Sequence, residues 1–391
     1  MTRRRRLLGA LGTAATLPLA GCASVLDVGG GEACPPYDPA GTDRTAWPSR
    51  YGGASNTATV AADAGPGTDP TAEWRFTIET HVGYHTPLVA GGTVYAHDMD
   101  ERVWAVDAAT GDTVWSRGLS PGWLAPGLGD GTLVVPGETG LVGLDAADGR
   151  ERWRAVEDLE PEFGGASPLV VDGTVYAPLG VSLYALDVAT GEPRWRFPTG
   201  LPSESMPAVE AGTVYFAGDD TYVYALDAAE GTERWRTKTD AQVRANVTVA
   251  GDVVCVVTES GRVYALDRET GAERWTHRLP RDTEGRLPRP EAVATDGSRV
   301  YVLTDDRLTA LAVANGHHCW RFLDVQTGYL PAVAVCDGRV YTSHPDGLGV
   351  LDAASGDERG VVVETEFLRT GPAIAEGALY AVSGNELVRY R

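Results

Sequence analysis

The feature that most constrains this chain is that it repeats itself. The segments WAVDAATGDTVW (104–115), VGLDAADGRERW (142–153), YALDVATGEPRW (184–195), YALDAAEGTERW (224–235), YALDRETGAERW (264–275), TALAVANGHHCW (309–320) and GVLDAASGDERG (349–360) align without gaps. Their shared glycines, Gly111, Gly149, Gly191, Gly231, Gly271, Gly316 and Gly356, are spaced by 38, 42, 40, 40, 45 and 40 residues. A period near 40 with four strand-like pieces per unit is the pattern of a propeller blade. Each unit reads as a short apolar strand, a turn, a second strand such as TVYFAG, a third such as YVYALD, a Gly turn, and a fourth strand ending in RW.

A second glycine series marks the first turn of each unit: Gly92, Gly131, Gly173, Gly212, Gly251, Gly297, Gly338 and Gly377, eight turns against seven of the other kind. The last unit is incomplete, because the chain stops at ELVRYR, while EWRFT near the start carries Trp74 with no Asp-Gly turn before it. The expected fold class is therefore all-β. It is an eight-bladed β-propeller of four-stranded antiparallel blades over residues 70–391, closed by an N-terminal strand around 72–79 that completes the last blade. Closure leaves only short outer edges, where an open stack would leave end blades unpaired.

The recurring residue types have physical reasons. Glycine in the third turn permits positive φ without a Cβ clash. Asp107, Asp145, Asp187, Asp227, Asp267 and Asp352 are placed to accept backbone N–H bonds from the turn that follows each of them. Trp74, Trp115, Trp153, Trp195, Trp235, Trp275 and Trp320 hold one equivalent place per unit. Buried between blades, each indole would remove roughly 150–250 Å² from water, on the order of 4–6 kcal/mol at most. Ala312 replaces the Asp in unit 6 and Gly360 the Trp in unit 7, so these are expected to be the loosest joints.

Ahead of the repeats, TRRRRLLGALGTAATLPLAGC carries Arg4 and Arg5 before an apolar run, Leu7 to Leu19, that is long enough for a signal sequence and too short to span a bilayer. It resembles a twin-arginine export signal ending in a lipobox at Cys22. Residues 1–21 are read as a signal peptide and Cys22 as the lipidation site. Residues 22–69 are read as a flexible tether in which WPSRYGGASNTA (47–58) packs on the propeller. The expected location is the cell surface, with the protein anchored to the outer face of the cytoplasmic membrane.

Composition bears on partners. The formal charge is −21, and removing Arg3 to Arg6 makes the mature chain more negative, so nucleic acid is a poor partner. Lys238 is the one lysine among 33 basic residues. Abundant carboxylates with arginine for lysine resemble the proteins of extreme halophiles, where molar salt mutes self-repulsion; the alternative is an acidic protein from a GC-rich genome.

The pattern A-x-D-x-x-T-G-x-x-x-W resembles the tryptophan-docking repeat of the quinoprotein-type, PQQ-repeat propellers. That family includes eight-bladed PQQ-dependent alcohol dehydrogenases and non-catalytic BamB-like lipoproteins, and WPSRYGGASNTA looks like the segment before the propeller in the BamB-like branch. The resemblance implies the fold and not the cofactor. A Cys-Cys pair and a C-x-x-C-H haem signature are both missing from the sequence, and the calcium and quinone ligands of the dehydrogenases match no positions here. No catalytic residue, metal site or PQQ–calcium cofactor is therefore expected.

Among candidate groups, His317, His318 and Cys319 are consecutive, which suits a solvated turn better than one ion. Cys255 and Cys336 fall in apolar strands and read as small buried hydrophobes, while Cys34 in the tether is the odd one, and the sequence leaves open whether it is free. The acidic stretches HDMDE (97–101) and GDDTY (218–222) read as hairpin turns. The blade-to-blade loops GYHTP, GWLAP and GYLPA place Tyr84, Trp123 and Tyr329 at equivalent sites, a candidate aromatic patch for a peptide or ligand, with plugging of the channel mouth as the alternative. The arginine-rich loop 276–292 is the candidate surface for an acidic partner, with a plain insertion as the equal alternative. The leading expectation is a monomeric, membrane-anchored scaffold for an unknown protein partner. The alternatives are a PQQ- or sugar-binding enzyme and a ligand-binding sensor.

Overall fold

The computed structural model describes residues 34–39, 46, 49–67, 70–78, 85–98, 102–119, 124–137, 140–156, 165–282, 284–323, 325, 333–364, 368 and 370–391. These hold eight four-stranded antiparallel sheets, each running from an inner to an outer strand. The inner strands are Leu88–Ala90, Gly127–Gly129, Leu169–Val171, Ala208–Glu210, Thr248–Ala250, Pro290–Thr295, Val333–Cys336 and Ala373–Ala375 for blades 1 to 8. The inner strand of blade 8 lies against those of both blade 7 and blade 1, so the sheets form a closed ring.

Closure is made by the chain's two ends. Strand Ala72–Thr77 pairs antiparallel with Glu386–Tyr390 and forms the outer strand of blade 8. Arg75 bonds Glu386 at 3.0 Å across the seam, and Arg389, almost fully buried, bonds Glu73 at 2.6 Å. Because each blade runs down, up, down and up, its first and third turns share one end, here the turn face. The second turns and the blade-to-blade loops share the other, the loop face.

The seven tryptophans are the joints of the ring. Each indole Nε1–H donates to the carbonyl of the first residue in the next blade's third turn: Trp74 to Ala108, Trp115 to Ala146, Trp153 to Val188, Trp195 to Ala228, Trp235 to Arg268, Trp275 to Val313 and Trp320 to Ala353, at 2.8–3.0 Å. The third-turn glycine of that next blade lies under the ring, where an added Cβ would come within 2.5–2.9 Å of indole atoms. Glycine there supplies positive φ and also the flat bed on which the neighbouring indole rests. In several joints a second-strand tyrosine reaches the same carbonyl, as Tyr95 does to Ala146 at 3.1 Å.

The two irregular joints have different explanations. Trp275 keeps its bond to Val313 at 2.8 Å although Ala312 has replaced the aspartate. At Gly360 the donor is missing, and so is its acceptor, because blade 8 is built from the chain ends and has no third turn between its last two strands. Donor and acceptor are lost together.

Each third-turn aspartate accepts backbone N–H bonds within its own turn: Asp107, Asp187, Asp227, Asp267 and Asp352 take two each through Oδ1, and Asp145 takes one from Ala147. A register shift between the third and fourth strands leaves one bulged residue seven positions after the aspartate: Val114, Arg152, Arg194, Arg234, Arg274, Cys319 and Arg359 in blades 1 to 7. A bulge re-aims a side chain. In five blades it turns an arginine back onto the aspartate: Arg152 to Asp145, Arg194 to Asp187, Arg234 to Asp227, Arg274 to Asp267, and Arg359 to Asp352.

Blade 6 departs from this scheme; it corrects two expectations and settles the state of Cys34. Cys319 forms a disulfide with Cys34, so Cys34 is not a free thiol, and Cys319 belongs to the outer strand His318–Phe322 rather than to a solvated turn. Residues 35–38 lie against blade 6, within the stretch read as tether, and residues 54–58 pack as the reading of 47–58 expects. Pro35 accepts from Arg299 Nη2 at 2.6 Å, Tyr37 stacks under the Arg299 guanidinium, and Asp38 N–H donates to Ser298 Oγ. Residues 54–64 then follow the free inner edges of consecutive blades. Val209 N–H bonds Ala54, Val249 bonds Ser55, Thr295 bonds Thr57 and Val335 bonds Ala58, covering the inner strands of blades 4 to 7 in order, and Gly377 in the first turn of blade 8 bonds Ala64.

Candidate interaction face

The central channel is the first place to look for a ligand, and the chain itself enters it. Asn56 is fully buried, and its Nδ2 donates to the carbonyls of Pro207 at 2.7 Å and Val247 at 2.9 Å, tying blades 4 and 5 together at the axis. Its backbone has φ 51°, a conformation asparagine adopts more readily than most residues. Next to it, Asn246 donates to the Val293 carbonyl and accepts from Val293 N–H, while Thr248 bonds the carbonyls of Asn56 and Val293. The Asn56 Nδ2, the Asn246 amide and the Thr248 hydroxyl are engaged with main chain, while the buried Asn56 Oδ1 has no hydrogen-bond partner among the described residues. Among the described residues no group of three His, Cys, Asp or Glu side chains is placed to hold a metal ion. Cys255 and Cys336 are buried, and burial pushes their thiols up to about 12 and about 11, which leaves both inert.

The loop face is different in character. Tyr84, Trp123 and Tyr329 lie outside the described residues, as do Arg4, Arg5 and Cys22. Among the residues that are described, Arg244 stands between blades 4 and 5 with three carboxylates around it: Glu259 at 3.3 Å, Asp219 at 3.4 Å and Glu204 at 3.7 Å. One cation among three anions leaves a local acidic excess at a guanidinium that is still 42% exposed. Nearby, Asp240 accepts from Ser260 and Thr258 hydroxyls and pairs with Arg262 and Arg278. Three of the four exposed large apolar side chains among the described residues, Leu201, Leu287 and Leu323, sit on blade-to-blade loops of this face.

On blade 1, His85 stacks on His97 with ring centroids 4.7 Å apart. Burial holds His97 down at about 4, so it stays neutral near pH 7. The acidic stretch at 218–222 forms a turn in which Asp220 accepts from Tyr222 N–H and the Tyr224 hydroxyl.

The arginines of the loop 276–292 have acceptors within the protein and remain open to solvent, the Arg278, Arg286 and Arg289 side chains being 51%, 72% and 80% exposed. Arg278 reaches Asp240, Arg286 bonds Asp282 at 2.5 Å, Arg289 pairs with Glu291, and Arg281 donates to the Gly285 carbonyl. Its arginines face the protein's own acceptors. Sequence reasoning passed over Arg244 because nothing in the repeat marks it: its carboxylates come from three other loops, which only the ring brings together.

Comparison with known proteins agrees with this geometry. The family model of the outer membrane protein assembly factor BamB matches residues 58–124, 105–205 and 180–391. The BamB of Xanthomonas campestris pv. campestris is 37% identical over 93 residues, which is 20% of this chain and only 22% of that protein's length. The crystal structure of BamB from Moraxella catarrhalis superposes with a TM-score of 0.65 at 17% identity, covering 82% of this chain and 99% of that one. A quinohemoprotein alcohol dehydrogenase from Comamonas testosteroni superposes with a TM-score of 0.69 at 16% identity, covering 89% and 81%. At such identities the two structures share the fold and nothing finer.

Proposed function

The chain belongs to the family of the outer membrane protein assembly factor BamB, and from that premise we propose that it is a non-catalytic scaffold. It is exported, held at a membrane by lipid on Cys22, and contacts a protein partner through its loop face. The observation that carries this reading is the division of labour between axis and rim. The inner edges of blades 4 to 7 are taken by residues 54–58, and residues up to Ala64 reach the first turn of blade 8, whereas the loop face carries Arg244 in its acidic ring together with exposed Leu201, Leu287 and Leu323. Loops held by a rigid ring are where binding residues are commonly found. Tyr84, Trp123 and Tyr329 belong to the same set of blade-to-blade loops by sequence and are proposed as part of that surface. PQQ with calcium has no proposed role.

The test is photo-crosslinking on intact cells from positions flanking Arg244, followed by identification of the captured protein. A specific capture is expected that is lost on changing Tyr84, Trp123 and Tyr329 to Ala, or on Arg244→Glu, and kept when Arg286 and Arg289 are changed. The competing enzyme reading predicts that PQQ with Ca²⁺ raises the unfolding temperature of the purified protein and supports dye-linked oxidation of alcohols or sugars; that result would overturn the scaffold.

A further inference from the structure

The residue after the docked tryptophan is an arginine in five of the seven blades that have one, and the register sets what that arginine meets. Arg75, Arg154, Arg196, Arg236 and Arg321 stand opposite Val388, Val142, Tyr184, Tyr224 and Thr309 on the adjoining strand. Four of them have partners. Arg75 pairs with Glu386 at 3.0 Å, Arg154 with Glu151 at 2.8 Å and Arg236 with Glu233 at 3.7 Å, while Arg196 donates to the Ser182 hydroxyl at 2.9 Å and lies over the Tyr184 ring. Blade 6 keeps none of these partners. The place of Glu386 and Ser182, two residues before the opposing one, holds Arg307. The place of Glu151 and Glu233, three residues before the arginine, holds His318, and the Tyr184 ring has become Thr309.

What remains is a set of donors short of an acceptor. Arg307, its side chain 5% exposed, lies on the same side of the sheet as Thr309 and Arg321, because alternate residues of a strand share a face. Asp306, the carboxylate that acts on Arg321, already accepts from Nε and Nη2 of Arg307 and from the Thr304 hydroxyl. Burial and the charge of Arg307 push the Arg321 guanidinium down. The Thr309 hydroxyl, 1% exposed, has no hydrogen-bond partner among the described residues. Opposite them on blade 5, the His277 ring bonds the Gly316 carbonyl and stacks on His318 with centroids 6.5 Å apart, and burial together with the Arg321 charge holds it below the usual histidine range.

We propose that Arg321, Arg307 and Thr309 form a binding site for one oxyanion, a carboxylate or a group of the sulfate and phosphate type, between the outer strands of blades 5 and 6. A guanidinium fork matches two oxygens of such a group, and the threonine hydroxyl supplies a further donor. A buried hydroxyl left unpaired and two guanidinium groups side by side are each unfavourable, and one bound oxyanion relieves both. On a chain of formal charge −21 the long-range field repels anions, so binding depends on this local pair of arginines. The site lies at the loop-face end of blade 6, where Arg307 closes the second turn and Asp305 is tied to Arg289 of the loop 276–292 through both backbone and side chain. It stands without the lipid anchor and without the scaffold reading. The oxyanion can come free from solution or as the side-chain carboxylate of a bound protein, since both present the same oxygens.

The experiment uses the purified full-length protein with isotope-labelled histidine, titrated with sodium sulfate or sodium acetate while KCl holds the ionic strength constant, and read by NMR. The His277 ring signal, assigned by its loss in His277→Gln, should move saturably toward its protonated position, because an anion on Arg321 offsets the charge that helps keep His277 neutral. Saturation by sulfate identifies a free tetrahedral anion as the ligand class, and saturation by acetate alone identifies a carboxylate, as a partner's side chain would supply; either supports the site. Arg321→Gln should abolish the saturable shift, and Thr309→Val should weaken binding roughly tenfold, the loss of one hydrogen bond to a charged group. Thr309→Tyr restores the ring that Tyr184, Tyr224 and Tyr264 place in blades 3, 4 and 5 and should exclude the anion. Arg154→Gln, at the equivalent place in blade 2, should leave the titration unchanged. A response that does not saturate, that KCl alone reproduces, or that persists in Arg321→Gln overturns the site. Should the Arg321→Gln ring fail to fold, Thr309→Val, of nearly the same shape, carries the test, and unchanged affinity there overturns the assignment.

Discussion

The third-turn glycines do two jobs at once, and the structure allows these to be separated. Gly231 and Gly212 have nearly the same positive φ, +69° and +70°, but a Cβ on Gly231 would sit 2.5 Å from the Trp195 ring while a Cβ on Gly212 would meet nothing within 4 Å. Gly212→Ala should therefore carry only the backbone cost of left-handed φ, about 1–2 kcal/mol. Gly231→Ala should carry that and a further ~1–3 kcal/mol for lifting the indole from its bed and stretching its 3.0 Å bond to Ala228. Guanidinium denaturation midpoints for the two variants decide the matter. Equal losses would mean that the glycine is selected for φ alone and that the indole bed is incidental. Tyr176 makes the comparison stringent, because its hydroxyl shares the Ala228 carbonyl, and displacing Trp195 disturbs that bond also.

At the level of strands, the joint that closes the ring is made by the segments furthest apart in sequence. Strand Ala72–Thr77 is held by its pairing with Glu386–Tyr390 and by Trp74 on blade 1. Trp74→Ala removes both the bond to Ala108 and the ring over Gly111, and because Trp74 is only partly buried the loss should fall below the ~3–5 kcal/mol of fully buried aromatic truncations. Hydrogen exchange should then accelerate in Ala72–Thr77 and Glu386–Tyr390 together and leave blades 4 and 5 unchanged. Acceleration around the whole ring would show that the seam has no independent stability. Closure was legible in the sequence because a lone tryptophan without a turn and a last turn without its outer strand are complementary omissions in a strict period. The Gly360 exception was half legible: the missing indole could be read, but its missing acceptor followed only from knowing which turn each indole rests on. The disulfide was not read, although a signal existed. Ala312 and Cys319 depart from the repeat at positions seven apart, the same spacing that joins Asp to Arg in other blades, so their joint loss marked a substituted contact. That residues 47–58 pack on the propeller was legible, but their course along the inner strands was not, since small residues bonding through their backbone have no pattern to find, and the carboxylates around Arg244 converge only in three dimensions.

For the molecule as a whole, charge and architecture act on different length scales. The ring is held by apolar burial and short-range bonds, while the formal charge of −21, from 54 acidic and 33 basic residues, acts over distances that salt controls. At about 0.1 M salt the Debye length is ~10 Å, so excess carboxylates on adjacent blades repel one another, and at about 1 M it is ~3 Å and that repulsion is largely gone. Salt also weakens the aspartate–arginine pairs. Most have an arginine side chain at least a third exposed, such as Arg152, Arg194, Arg234 and Arg274, and exposed pairs are worth about 0–1 kcal/mol each. The pairs are few and short-ranged, whereas the repulsion is summed over the whole surface, so the net effect should favour the folded ring. The midpoint of thermal unfolding should accordingly rise by roughly 10 °C between 0.1 and 2 M KCl, a shift of a few kcal/mol for a domain of this size. Potassium chloride is the informative salt, because sulfate would also strengthen apolar burial through exclusion from the surface. A flat or falling midpoint in KCl, with a rise in sulfate, would show that the acidic surface does not limit stability and that the halophile-like composition has no energetic consequence for this fold. A rise in KCl that is lost when exposed aspartates and glutamates are changed to Asn and Gln would locate the effect in the surface charge itself.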